Sequence, residues 1–425
     1  MLRTVASPDW IARRGWVAPD HGGACFAHVP GTIAQLLTGE SLRAPLPPSL
    51  TASLGTRYER VVLVYFDALG FDLAQRHAGH PLLARAAQEG IFARITSQFP
   101  STTTAHMPTI HSGLPVGEHS LYEWFVLEPS LDRLIAPLPF AYAGDGQPAL
   151  LGDLDPAELY PATTIYEWLA QRGVSSVVAG AMGNATSPAS SALLRGSTQQ
   201  LGWLDVADGL TRFADALTAL PAPAYGFAYL ESVDTLMHKV GPGEPQRSLV
   251  DSEVAYLLDL VQRALLDRLP AGTLLLITAD HGMTPVSPLE TVYVNIGEGA
   301  DELASHVRIG ADPDGHPLAP AGSCRDLFLH AVPGHVDDLL AALERRLRER
   351  AEVRRTAELL DGGLFGPEPS RLLRERLADV VVLPVLGEAA YWYTPGRFRQ
   401  ALWGQHGGLT AQEMEIPLVA VHARA

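Results

Sequence analysis

Val61-Val62-Leu63-Val64-Tyr65-Phe66-Asp67-Ala68-Leu69-Gly70 is an unbroken apolar run that stops at a carboxylate and a glycine. A strand with one wet face alternates polar and apolar side chains. A run without alternation suits a strand buried on both faces, as in a parallel sheet covered by helices. The same texture recurs at residues 175–181, 225–230 and 274–278. Between these runs, residues 72–89, 164–172, 210–220 and 249–269 carry apolar side chains at helical spacing. Strand and helix signals in alternation define βαβ units, which predicts an α/β fold with a doubly wound, mostly parallel sheet.

The texture changes over residues 297–395. Gly- and Pro-rich loops there frame an apolar segment at 326–332, a charged helix near 336–351 and a second apolar run at 380–385. This predicts a smaller α+β subdomain at 297–395, inserted into a core made of 1–296 and 396–425, with 403–421 returning to the main sheet. No internal repeat interrupts the pattern.

The bulk composition narrows the partners. The 425 residues are 47% hydrophobic, enough for a large core, and 31 basic against 47 acidic residues give a net charge of -16. Such a chain is not built to grip a nucleic-acid polymer or an anionic membrane nonspecifically. A phosphorylated substrate would need local positive charge, which metal ions can supply. The two cysteines, Cys25 and Cys324, lack the spacing of a thiolate metal site or a disulfide framework. No apolar leader or membrane-spanning stretch is evident, so a soluble cytoplasmic protein is the default expectation.

Ligands of open parallel sheets bind at the carboxyl ends of the strands. Asp67 sits at such an end; so do Asp234 and His238, which follow the run ending at Leu230, and Asp280 and His281, which follow the run ending at Thr278. His406 lies in Gly404-Gln405-His406-Gly407-Gly408, where glycines let backbone approach a bound group closely. Each has an ordinary alternative: a helix cap, an exposed helix face, a turn. Jointly, three carboxylates and three imidazoles at strand ends suit zinc or a similar divalent ion. Ser101-Thr102-Thr103-Thr104 follows the apolar run 91–95 and opens a helix. A cap accounts for one of these hydroxyls, and the helix start also offers free amides for a phosphate.

In order along the chain, Phe66-Asp67-Ala68-Leu69-Gly70, Phe99 to His106, Ser112-Gly113-Leu114-Pro115-Val116-Gly117-Glu118-His119, Glu231 to His238, Thr278 to Met283 and Gly404 to Thr410 resemble the alkaline phosphatase superfamily. Within it they are most similar to the type I phosphodiesterase/nucleotide pyrophosphatase group. The resemblance implies an alkaline-phosphatase-like core and metal-dependent hydrolysis of phosphate esters, with Thr103 as nucleophile, two divalent ions (zinc, with manganese as the other choice) and a small phosphorylated substrate. Asp234, His238 and His406 would bind one ion; Asp67, Asp280, His281 and the Thr103 oxygen the other; His119 would be structural. The region before His406 would form a cap beside the site.

Nucleotide pyrophosphatases carry an asparagine where this chain has Trp124, and Trp124, Tyr122 and Phe125 are candidates to stack on a leaving group, against the alternative that they are core. The implied reaction runs through a phosphothreonine, in which two cations roughly 4 Å apart acidify the Thr103 hydroxyl and neutralise the departing oxygen. The same site could serve a phosphomonoesterase, a phosphonate hydrolase or a phosphomutase. Residues 101–106 lack the Pro and Arg spacing of sulfatases, and a noncatalytic metal-binding module is the competing reading from another class.

Overall fold

The computed structural model describes residues 8–424 apart from 145, 186, 312–314, 316 and 319. Its centre is a seven-stranded sheet of β1 (Arg60–Phe66), β2 (Ile91–Thr96), β3 (Ser175–Ala181), β4 (Gln199–Trp203), β5 (Ala224–Leu230), β6 (Thr273–Thr278) and the C-terminal β11 (Glu415–His422), in the order β2-β11-β6-β1-β5-β3-β4. β1 runs parallel to both neighbours, pairing Val64 with Ala228 on one side and Ile277 on the other. Every residue of β6 and all of β1 after Arg60 is buried, the outcome expected of apolar runs with helices on both faces. β11 is antiparallel to β6 and β2, so the sheet is mostly, not wholly, parallel.

Two helical stretches are interrupted where the sequence reading kept them whole. Residues 72–89 divide into Phe71–Arg76 and Pro81–Glu89, because a proline in a helix interior removes a donor and disfavours helical backbone before it. The stretch after Arg247 is α-helical only to Leu260 and then widens and tightens by a turn each. β4 went unread: it opens with exposed Gln199 and Gln200 and contains Gly202, the composition of an edge strand rather than a central one.

A second sheet lies beyond β6. β7 (Ala321–Gly322), β8 (Leu327–Leu329), β9 (Ala351–Arg355) and β10 (Val380–Pro384) form it in the order β7-β8-β10-β9, all antiparallel. The long helix Val336–Leu347 covers one face through Leu339, Leu343 and Leu347, against Leu327, Leu329, Val380 and Val382. Phe328, Val381 and Leu383 point the other way into a core shared with Phe99, Val116 and Tyr122 of the main body. Period-two alternation thus splits β8 and β10 between two cores. A short antiparallel pairing of Thr284–Pro285 with Gly404–Gln405 stands where the chain leaves the main body and where it returns. Among the described residues no helix is long and apolar enough to cross a membrane.

Candidate metal centre

The centre forms at the carboxyl ends of β1, β5 and β6. Asp67 is the first residue after β1, its amide held by Leu230 O at 2.9 Å. Asp234 and His238 stand one turn apart on α2 (Ser232–Val240), which starts directly after β5. Asp280 and His281 follow β6, and Asp280 Oδ1 accepts the amides of Ala68 (3.1 Å) and His281 (3.0 Å), tying the ends of β1 and β6 together. Gly282 is required at this junction: a Cβ there would lie 2.1 Å from Gln412 O.

Each imidazole is aimed by a carbonyl. His238 Nδ1 donates to Gly404 O (2.8 Å), His281 Nδ1 to Gly282 O (2.9 Å) and His406 Nδ1 to Ser101 O (3.0 Å). A carbonyl only accepts, so Nδ1 carries the proton and each Nε2 lone pair is left for another partner. His281 Nε2 lies 3.4 Å from Asp280 Oδ2 and 3.6 Å from Asp67 Oδ1, while Asp234 Oδ1 is 3.3 Å from His238 Nε2 and 3.8 Å from His406 Nε2. The His281 and His406 rings stack at 3.6 Å. Ligand atoms of Asp67, Asp280 and His281, and of Asp234, His281 and His406, lie within 4.8 Å of one another in each group. His281 belongs to both groups.

The electrostatics of this cluster are those of a cation site. Burial, followed by the Asp280 and Asp234 charges, holds the Asp67 carboxyl well above the carboxylate range; burial and then Asp280 do the same to Asp234. Burial pushes His281 and His406 well below the ordinary histidine value and also lowers His238, leaving them neutral at pH 7. Asp234 Oδ1 and Asp280 Oδ2 are buried with no hydrogen-bond donor. Acceptor-only oxygens facing imidazole lone pairs repel unless positive charge stands among them, so this donor set fits divalent cations.

Thr103 is the first residue of helix α1 (Thr103–Ser112). Its Oγ donates toward Asp67 Oδ1 at 3.3 Å and lies 3.2 Å from His281 Nε2. The neighbouring hydroxyls do other things. Ser101 Oγ donates to Gly408 O (2.8 Å), Thr102 occupies the N-cap without a side-chain cap bond, and Thr104 is buried. His106 and His119 are braces: His106 Nδ1 donates to Thr102 O (2.8 Å), and His119 Nε2 donates to Ala105 O (3.0 Å). Asp20-His21-Gly22-Gly23 forms a turn away from the centre, Asp20 accepting the Ala24 amide at 2.7 Å.

Of the three aromatics Tyr122 parts from the others, since Trp124 and Phe125 both line one cleft. Tyr122 is buried and packs on Phe328 at 5.0 Å, Phe125 packs on Phe398 at 5.3 Å, and Trp124, 41% exposed, stands on the wall of the cleft above the metal cluster. The glycines flanking His406 are also closely packed against protein. Gly407, at φ +125°, lies against the second sheet's connection, where a Cβ would meet Asp326 Oδ1 at 2.8 Å.

Sequence reasoning missed three contributors. Tyr229 OH donates to Asp67 Oδ2, from five residues before Asp234 on β5. Glu123 and Asp326 are both buried, and that burial, with the Glu123 charge acting across the boundary between the main body and the second sheet, raises the Asp326 carboxyl. Arg325 forms a buried two-point ion pair with Glu413 at 2.9 Å, which in turn accepts the Gly408 amide at 3.1 Å. No local spacing signals such pairs.

Two cavities open at Thr103. A mostly apolar slot is lined by Met107 and His111, on the Thr103 face of α1, with Phe227, Tyr229 and Leu193; a wider cleft is lined by Asp234, His238, His406, Trp124 and Arg399. Thr103 is the lining residue they have in common.

Fold and centre together define an α/β protein whose central strands carry a carboxylate–imidazole cluster at their carboxyl ends. Residues 61–402 match the family described as type I phosphodiesterase / nucleotide pyrophosphatase, and the chain belongs to that family, which is metal-dependent. Among solved structures, murine ectonucleotide pyrophosphatase / phosphodiesterase 5 superposes with a TM-score of 0.62 at 20% identity, over 84% of this chain and 87% of that one. Phosphonoacetate hydrolase from Sinorhizobium meliloti 1021, in complex with phosphonoformate, gives 0.61 at 18% identity over 86% and 90%. These likenesses show the fold. A phosphopentomutase of Anaeromyxobacter sp. (strain K) is 30% identical over 177 residues, 40% of this chain; the chain spans 42% of that curated relative's length.

Proposed function

We propose that this protein hydrolyses phosphodiesters or phosphonate monoesters, nucleotide pyrophosphate bonds included, through a phosphothreonine on Thr103. The observation that carries this reading is that two cavities meet at one hydroxyl: a monoester needs room for one organic group, a diester or phosphonate ester for two. In this reading Asp67, Asp280, His281 and Thr103 hold one divalent ion and Asp234, His238 and His406 the other, with zinc or manganese matching the mixed nitrogen and oxygen donors. Residues 297–395 act as a cap on a catalytic core of 1–296 and 396–425. Solved relatives are described in complex with AMP and with phosphonoformate, which supports a small phosphorus-bearing substrate.

Bound cations would supply the positive charge for the phosphoryl and departing oxygens that the acidic chain lacks. The Thr103 proton is directed at Asp67, whose position Tyr229 and the Leu230 carbonyl hold. Thr103 Oγ attacks phosphorus and the bond to the leaving oxygen breaks in line, on the side of Asp234, His238 and His406. Water attacks the phosphothreonine from that same side and releases Thr103. The retained group stays in the slot behind Thr103, and the leaving group passes into the cleft.

The test compares bis-p-nitrophenyl phosphate, p-nitrophenyl phenylphosphonate and p-nitrophenyl phosphate as substrates of purified protein with zinc or manganese. Diester or phosphonate-ester turnover should exceed monoester turnover and fall by about a thousandfold or more in Thr103→Ala or after chelation. Monoester preference would move the protein to the phosphatase or phosphomutase reading that the mutase relatives represent. Metal binding without turnover of any ester would favour the noncatalytic module.

A further inference from the structure

Among the described residues, the cleft that would receive the leaving group has one arginine or lysine in its lining. Its lining includes Trp124, Tyr391, Arg399 and Leu402 beside Asp234, His238 and His406. Both histidines are turned to the cluster, each with Nδ1 on a backbone carbonyl and Nε2 toward Asp234. Arg399 is exposed, and among the described residues it makes no hydrogen bond or ion pair, whereas the nearby Arg325 is locked to Glu413. Its neighbour Gln400 is committed to the loop, since its amide donates to Leu402 O at 2.8 Å and accepts the Leu402 amide at 2.5 Å. The segment carrying Arg399 is thereby anchored while the guanidinium stays uncommitted. Among the described residues, the apolar slot is lined by no Asp, Glu, Lys or Arg.

In a chain of net charge -16, an uncommitted arginine at the mouth of a cleft that holds carboxylates is a selective feature for anions. The phosphoryl group itself belongs at Thr103, among the metal ligands. What Arg399 meets is whatever the leaving oxygen is attached to. Trp124 presents an exposed indole in the same cleft, a surface suited to a flat ring. We propose that Arg399 determines specificity for leaving groups that bear a second oxyanion, a carboxylate or a phosphate, held beside the Trp124 ring. The proposal rests on the two-cavity reading above, which puts the leaving group in this cleft.

The experiment uses zinc-loaded full-length protein and three substrates: p-nitrophenyl phenylphosphonate, its 3-carboxy-4-nitrophenyl counterpart, and ATP, whose leaving group is pyrophosphate. In Arg399→Ala the KM of the carboxylated ester should rise roughly three- to tenfold relative to that of the plain ester, with kcat affected much less, as loss of one solvent-accessible charge-assisted contact predicts. Arg399→Lys should recover part of the difference, and Arg399→Glu should enlarge it. A parallel loss with ATP would mean that phosphate also serves as the recognised anion; an effect on the carboxylated ester alone would narrow the class to carboxylates. Equal KM changes on both esters, or none, overturn the proposal. The same esters are also titrated calorimetrically against Thr103→Ala with and without Arg399→Ala. If wild type hydrolyses nothing, the hydrolase reading falls, and this titration still decides the inference: an Arg399-dependent preference for the carboxylated ester upholds it, and no preference sinks it.

Discussion

Glu123 shows how a single buried carboxyl can couple the site to pH. Burial pushes it up to about 8, against hydrogen bonds from the Trp124 amide and the Thr102 side chain that lower it, and its partner Asp326 is raised well above the carboxylate range by burial and then by Glu123. Two carboxyls in such contact retain a proton between them at neutral pH. The sign follows from the raised folded value: the stability due to the neutral pair is complete below the ordinary value of 4.5, and is lost as pH rises from there through about 8. Wild-type unfolding free energy should therefore drop by a few kcal/mol across that window, and Glu123→Gln, which stays neutral and can donate to Asp326, should flatten the profile. Urea titrations at stepped pH measure both; a wild-type curve as flat as the variant's would mean that the pair does not titrate there. At this scale most of the carboxylate–imidazole cluster was readable, because Asp67, Asp280 and His281 follow their strands directly. Tyr229 and Glu123 were not, since each acquires its role from a neighbour far away in sequence.

Among the elements, the loop carrying His406 is positioned from both sides. Ser101 binds it from the Thr103 side, accepting the Gly407 amide at 3.2 Å and donating to Gly408 O. From the other side Ser323 Oγ donates to Asp326 Oδ1 at 2.6 Å, and both press on Gly407. Gly407→Ala would bring a Cβ to 2.8 Å from Asp326 Oδ1 and 2.9 Å from Ser323 Oγ, at a φ that side chains rarely adopt. We expect at least about a tenfold loss of zinc affinity, from displacement of a ligand-bearing loop, with a stability cost of roughly 1–3 kcal/mol. Competitive chelator titration reads the first and thermal unfolding the second; native affinity in this variant would show that the loop adapts. The glycine-rich segment was visible in the sequence, but its reason was not. A glycine reports that space is tight without saying what occupies it, and here the occupant belongs to a segment some eighty residues earlier.

For the whole molecule, the centre stores repulsion that folding must overcome. Asp67, Asp234 and Asp280 converge in a buried site, with donor-free oxygens on Asp234 and Asp280. Removing one charge should help the metal-free fold and harm the loaded one. With chelator present, Asp67→Asn should be more stable than wild type by about 1–3 kcal/mol; with zinc restored, wild type should gain more and the order should reverse. Differential scanning calorimetry in both conditions tests this, and a variant less stable than wild type in chelator would mean that the Tyr229 contact outweighs the repulsion.

The apolar runs at β1, β3, β5 and β6 determined the layered sheet by themselves, because a strand buried on both faces must be apolar throughout. The same local logic put carboxylates and imidazoles at strand ends. Only the tertiary structure decided that β11 enters antiparallel between β2 and β6, that Trp124 faces a cleft while Tyr122 is core, and that one threonine hydroxyl joins two cavities. Those outcomes depend on which distant surfaces meet, and hydrophobic periodicity constrains the face a residue presents without naming the partner it will find.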